Sequence, residues 1–414
     1  MNDLSVLVSR DRAFVDAVAD AAGATRVEVL HPAVFVDRLF RADASGYIPS
    51  AVRGLAFQAA STFTPTLLAD VFVASSRGER KVDLRYSIAT ALAAESVDVN
   101  CLTRSGDPVC LYAMSETDDS VEVELFRTVY GTDRTTIIRQ ALAHLRVQAA
   151  SESSVRVLTI SDPAILRRDA RSLVSEGFVE TDRGWVAVAA SGTHTCESLG
   201  ALLPPAGRNE PEYWRSIRKA IQDAPESSDA AALVEGLLDP ALLVDGALDS
   251  VLVPIQATWS DRLIGVTPDQ LDLEVASERI HQLREHAYFR SPRGLGLTVP
   301  LRVFWYRTAD GRSRVFASSV IDQVSIKTVP EIWGRFGGYG VLQKAEVAGR
   351  ADEAGRVMAL RFVRTRRLRR SIDLAELQVV AHRLGAVRPA VPVGPLRLDQ
   401  RLQSWLLGDE VGLE

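Results

Sequence analysis

The sequence lacks any apolar run of about 18 residues, which excludes an ordinary membrane-spanning helix. It holds only three cysteines, Cys101, Cys110 and Cys196, and no CxxC pair, so neither a disulfide framework nor a zinc ribbon can be built from them. Buried thiols in a reducing cytoplasm are the expected state. The opening stretch MNDLSVLVSRDRAF turns acidic and strand-like at once, without the layout of a signal peptide. There are only six histidines. His281 and His286 would lie about 140° apart around a helix, and His194 with Cys196 in THTC has no second pair to complete a tetrahedral site. No metal centre is expected.

What is present is the profile of a soluble globular protein. The 414 residues are 47% apolar and 24% charged, enough for two or three domains. The net charge of −5 hides an asymmetry. Residues 255–390 carry 22 Lys+Arg against 14 Asp+Glu, a net of +8, which leaves −13 for the remainder. A basic part on an acidic body predicts an anionic partner for that part.

The patterning divides the chain. Residues 3–40 read as strand, helix, strand, helix, the seed of a small parallel sheet that must lean on the rest of the chain or on a partner protein. The apolar segment up to about Ser76 has no clear period. RGERKVDLRYSIATALAAESV reads as an amphipathic helix with Leu84, Ile88, Leu92 and Val97 on or near one face. DVNCLTRSGDPVCLYAMS reads as a hairpin that brings Cys101 and Cys110 opposite each other if the register allows, and SVEVELFRTV as a third strand. A helix over 134–150 and the strand VRVLTIS follow. DPAILRRDARSLVSEG reads as a helix capped by Asp162 and stopped by Gly177, and FVETDRGWVAVAA as a hairpin. Residues 191–250 read as a connecting arm. From Val251 the pattern is mostly strand, including GVLQKAEVAG, with helices at TPDQLDLEVASERIHQLRE and DLAELQVVAHRL. The fold class expected is α/β plus mainly-β.

The order helix, hairpin, strand, loop-and-helix, strand, helix, hairpin over 77–190 resembles the GNAT acyltransferase fold, a mixed sheet with flanking helices. Its most specific part is ILRRDARSLVSEGFVETDRGWVAVA, with Gly177-Phe178 between helix and hairpin. That resemblance implies acetyl-CoA as cofactor. The pyrophosphate would rest on the loop RTVYGTDRT, where glycine lets the backbone close in and the helix dipole favours an anion. Arg127, Gly131, Thr132, Arg134 and Thr135 are the implied contacts. Arg127 stands four residues before Gly131 rather than three, and Asp133 takes a position that is normally small. Asp133 suits a helix N-cap. Glu124 is the candidate general base for attack of an amine on the thioester. No tyrosine occupies the start of the segment after VLTIS, where such enzymes often keep an acid. A degenerate, non-catalytic scaffold is the competing expectation.

At the two ends the resemblances are shorter. Residues 1–45 are similar to the last third of a PIN-type nuclease domain, with Asp11 matching a late metal-binding acid. The other carboxylates of such a site would lie upstream of it. Residues 251–390 resemble a PUA-like small β-barrel of the ASCH or EVE kind, which implies RNA or another nucleic acid as partner. Flat side chains for stacking and cations for phosphate are what that binding needs. Arg290, Trp305 and Tyr339 join Arg361, Arg364 and Arg366 of LRFVRTRRLRR as the candidate contacts.

Overall fold

The computed structural model describes residues 52–208, 210–264, 283–292, 296–308 and 313–408, with the short strands Ser5–Val8, Val27–Leu30 and Glu278–Arg279. The first two, β1 (Ser5–Val8) and β2 (Val27–Leu30), pair in parallel as their spacing suggests. The rest of the PIN-like stretch, Asp11 included, lies outside the described residues.

The unplaced segment before Ser76 forms β3 (Leu55–Ala59) and α1 (Pro65–Phe72), a helix started by Pro65 and capped by the Thr64 hydroxyl. Then come α2 (Lys81–Ala93), β4 (Val97–Arg104), β5 (Asp107–Glu116) and β6 (Ser120–Thr128). Next are α3 (Arg134–Ala149), β7 (Arg156–Ile160), α4 (Ala170–Ser175), β8 (Val179–Thr181) and β9 (Gly184–Ala189). The strands build an eight-stranded sheet in the order β13-β3-β4-β5-β6-β7-β9-β8, where β13 is Glu278–Arg279 from far along the chain. β6 and β7 are parallel, because α3 crosses over between them, and the other neighbours are antiparallel. Both faces are covered. Leu68, Phe72, Leu84 and Ile88 of α1 and α2 pack on Cys101, Leu111 and Leu125. Ile138, Leu142 and Leu145 of α3 pack on Tyr112, Val123 and Leu158 from the other side. That two-sided burial explains why β5 reads as a nearly continuous apolar run. The register sets Cys101 opposite Leu111 and Cys110 opposite Leu102, so the two thiols face opposite sides of the sheet.

Residues 191–250 are more than an arm. β10 (Thr193–His194), α5 (Cys196–Leu202), α6 (Glu212–Asp223), α7 (Ser228–Leu237) and β11 (Leu242–Leu243) pack around Leu199, Trp214, Ile217 and Val234, in a core shared with Val188 of the first sheet and Val320 of the second. Pro, Gly and Ser fall in the turns between these short helices, and that composition gives the stretch the look of a linker.

The remaining strands are β12 (Ser250–Gln256), β14 (Glu285–Arg290), β15 (Leu301–Thr308), β16 (Arg314–Thr328), β17 (Arg356–Asp373) and β18 (Leu396–Arg397). They make a six-stranded sheet, β14-β17-β16-β15-β12-β18, whose end strands do not pair with each other among the described residues. This corrects the barrel expectation. A barrel buries one face of its strands, whereas here both faces carry a core. Val253, Trp305 and Phe362 lie on one side, and Leu252, Phe304 and Tyr306 on the other. Four helices serve this sheet: α8 (Ala257–Ile264), α9 (Val329–Phe336), α11 (Leu374–Arg383) and α12 (Gln400–Leu407). GVLQKAEVAG, read as a strand, contains a fifth, the short helix α10 (Lys344–Ala348), fixed by a capping box between Gln343 and Glu346. The helix read over 267–285 falls mostly outside the described residues, but its members at 278–279 and Glu285 are in strands.

Candidate functional site

The candidate cofactor residues lie at the end of β6 and on the loop that opens α3. Pairing of β6 with β7 ends at Val123–Ile160, and beyond that point the two parallel strands part. A bulge against β5 at this level turns Glu124 outward into solvent. The candidate base is therefore exposed at the rim of the opening.

The opening itself is filled from within. Asp162, expected to cap a helix, accepts the Phe126 N–H at 2.6 Å and the Ala164 N–H at 2.7 Å, and pairs with the Arg127 guanidinium. The helix starts only after a tight turn at Arg167–Asp169. Arg127 is buried and also bonds Glu79 at 2.9 Å. Burial lowers its pKa, and Glu79 opposes that pull. Arg127 is thus a structural cation held between two carboxylates. Arg134 is equally committed: it makes a forked pair with Asp169 at 2.7 and 2.9 Å and donates to the carbonyls of Thr128 and Val129. Asp133 stands at the N-cap but makes no capping bond, since its carboxylate turns to Arg104 at 2.7 Å. Gly131, Thr132 and Thr135 are exposed, and open space surrounds Gly131. The loop has the architecture read from the sequence, but its two arginines are neutralised internally.

The arginines assigned to nucleic acid meet the same fate at the junction of the two sheets. Arg366 pairs with Asp239 and donates to the Pro240 carbonyl. Arg361 forks onto Asp322 at 2.8 and 2.9 Å and lies 3.8 Å from Glu285. Arg364 sits in a strand bulge with φ 51°, lies against Gly236 and reaches the Ala232 carbonyl midway along α7 at 3.4 Å. Burial lowers its pKa, and the nearby Arg302 and Arg366 add to that. Arg284 links Glu176 and Asp239 at 3.0 and 3.1 Å, and Arg139 links Glu176 and Glu285 at 2.7 and 3.0 Å. Burial alone would raise the Asp239 carboxyl, but Arg366, Arg284 and Arg146 outweigh it and hold it well below the usual carboxylate range. Arg146, 1% exposed, donates to four carbonyls, those of Glu176, Val188, Gly236 and Leu237. Burial brings its pKa down to about 10. Arg284 and Arg366 of the basic part thus find their carboxylates elsewhere in this chain, whereas Arg361 pairs within the basic part itself.

The aromatic candidates divide. Trp305 is fully buried, its N–H donating to the Ser319 hydroxyl at 2.9 Å, so it is a core residue and no stacking platform. Tyr339 is half-exposed beside Glu285 and Arg361. Arg290 is half-buried near Tyr288 and Gly394. Beside it, Trp259, Tyr288, Phe289 and Arg350 line a cleft that closes down to about 10 Å³, room for one water molecule. Among the described residues no group of three or more His, Cys, Asp or Glu side chains is arranged to hold a metal ion. No helix there is long and apolar enough to cross a membrane.

No protein-family model matches this chain, and no curated protein matches it. Among solved structures the chain is similar to ASCH from Zymomonas mobilis, with 13% identity and a TM-score of 0.30. That match covers 38% of this chain and 93% of the other. Two mutant proteins of the same ASCH match at 12% identity, with TM-scores of 0.30 and 0.31 over 38% and 39% of this chain and 96% of theirs.

Of the residues that decide the chemistry, Asp162 reads in the sequence only as a helix cap, and Glu176, Asp239 and Arg284 do not stand out at all. Their partners lie 36 to 127 positions away, and a single sequence gives no signal at that range.

Proposed function

We propose that this is a non-catalytic, nucleic-acid-binding regulatory protein in which an acyltransferase-like sheet serves as scaffold. The observation that carries the choice is the ion pair of Arg127 with Asp162 in the opening between β6 and β7. A carboxylate in that opening repels a pyrophosphate and takes up the Phe126 N–H that would otherwise face a ligand. The nucleic-acid half of the reading rests on the PUA-like resemblance of the C-terminal part, with Arg290 and Arg350 beside its aromatic cleft.

A specific observation favours a second reading, N-acyl transfer from acetyl-CoA. Parallel strands that part beside an exposed glutamate, followed by a glycine loop and a helix N-terminus, are the layout that chemistry needs. Calorimetric titration with acetyl-CoA separates the two. The scaffold reading expects no heat of binding from the wild-type chain and salt-sensitive binding of RNA. Micromolar binding of acetyl-CoA, abolished in Gly131→Asp, would replace it with the acyltransferase reading.

A further inference from the structure

Beyond the internally paired arginines, a group of cations on the first sheet stays in solvent. The turn Arg167–Asp169 sends Asp169 inward to Arg134 and leaves Arg167 and Arg168 exposed, with Arg171 exposed one turn on. None of these three arginines has a carboxylate partner among the described residues. Of these, Arg168 reaches Tyr130, a residue 60% exposed. Two guanidinium groups approach that ring, Arg168 at 4.9 Å and Arg134 at 5.2 Å from its centre. The segment bearing them is fastened beforehand. Arg77 donates to the carbonyls of Pro163 and Ile165, and Asp169 accepts the Leu166 N–H. The backbone that carries the arginines is therefore fixed before binding, and only their side chains remain to be ordered.

A largely exposed aromatic residue beside arginines that lack carboxylate partners fits a ligand that alternates flat bases with phosphates, a base displacing the guanidinium of Arg168 from the ring. We infer that single-stranded nucleic acid binds here, a base stacking on Tyr130 and successive phosphates lying on Arg167, Arg168 and Arg171. This rests on the nucleic-acid reading above and adds to the C-terminal cleft a second surface, on the turn and helix that follow β7.

The test is fluorescence anisotropy of labelled 12-nucleotide oligo(rU) and oligo(rA) with the full chain over a salt series. Arg167→Glu/Arg168→Glu is expected to weaken binding at least about tenfold and to lower the log–log salt slope by about 1.4, roughly 0.7 for each phosphate no longer held. Tyr130→Ala is expected to weaken it about fivefold or more with the slope unchanged. Both variants change exposed side chains, and an unaltered melting curve checks their folding. Wild-type affinity in both variants would overturn this site and leave the nucleic-acid reading standing. Failure of the wild-type chain to bind either oligonucleotide would overturn both. Equal affinity for a 12-base-pair duplex would overturn the stacking role of Tyr130.

Discussion

His286 shows what a single buried side chain imposes. It is 1% exposed, stacked on Phe362, and neither ring nitrogen makes a well-formed hydrogen bond among the described residues. Burial lowers its pKa to about 4, opposed only weakly by the backbone of Leu283. The unfolded chain takes up this proton near pH 6.5, whereas the folded chain refuses it until about pH 4. Between those values the unfolded state binds more protons, so stability falls as the pH drops through the window. The loss reaches about 3 kcal/mol at its acid end. Urea midpoints of wild type and His286→Phe from pH 7 to pH 4 should show a steeper decline for wild type. Parallel curves would remove His286 as the cause. In the sequence this residue reads as part of a helix with His281, five positions before it. Only its place on β14, alternating with the core residues Ala287 and Phe289, shows that it is enclosed.

Elements were legible where one period dominated. The β4–β5 hairpin, α3 and the β8–β9 hairpin follow from their patterning, and Gly177 adopts the left-handed φ of 83° that ends a helix, whereas α2 buries only Leu84 and Ile88 of the face read for it and Val97 opens β4 instead. The element at 344–348 was missed because Val341 and Leu342, buried just before it, gave GVLQKAEVAG a strand-like start. The glycines of GRFGGYG read as a break, but two of them are points of close approach. A Cβ on Gly340 would run into the Phe289 ring, and one on Gly337 would stand 2.8 Å from Trp333. Gly340 has φ −108°, so the constraint there is steric and not conformational. Gly340→Ala is expected to cost about 1–3 kcal/mol by forcing β14 away from the turn after α9. Gly338→Ala, with open space around it, should cost far less. Denaturant midpoints compare the two, and equal effects would mean that the Phe289 ring is not what the glycine accommodates.

At the scale of the molecule, charge explains the arrangement better than domain boundaries do. Composition showed a basic C-terminal part and an acidic remainder, but could not show that many of the charges meet. Asp239 is the node, lying between Arg284 and Arg366. Its carboxyl is held below the usual range, so the stability it supplies is present above about pH 4, the unfolded value, and is lost as the pH falls below it. Asp239→Ala leaves Arg366 without its carboxylate and Arg284 with Glu176 alone, and is expected to cost about 3–5 kcal/mol. Limited proteolysis should then cut between the two sheets. A single cooperative transition with unchanged protease resistance would refute the linking role. The strand β13 takes this further. It leaves the C-terminal half to pair with β3 at the edge of the first sheet, Glu278 opposite Phe57 and Arg279 opposite Ala56. A fragment ending near residue 250 would expose that edge to any strand offering its backbone, and would lack Arg284 as well. The two halves, made separately, should be insoluble or should find each other. Splitting the gene would convert an intramolecular pairing into a binding partnership.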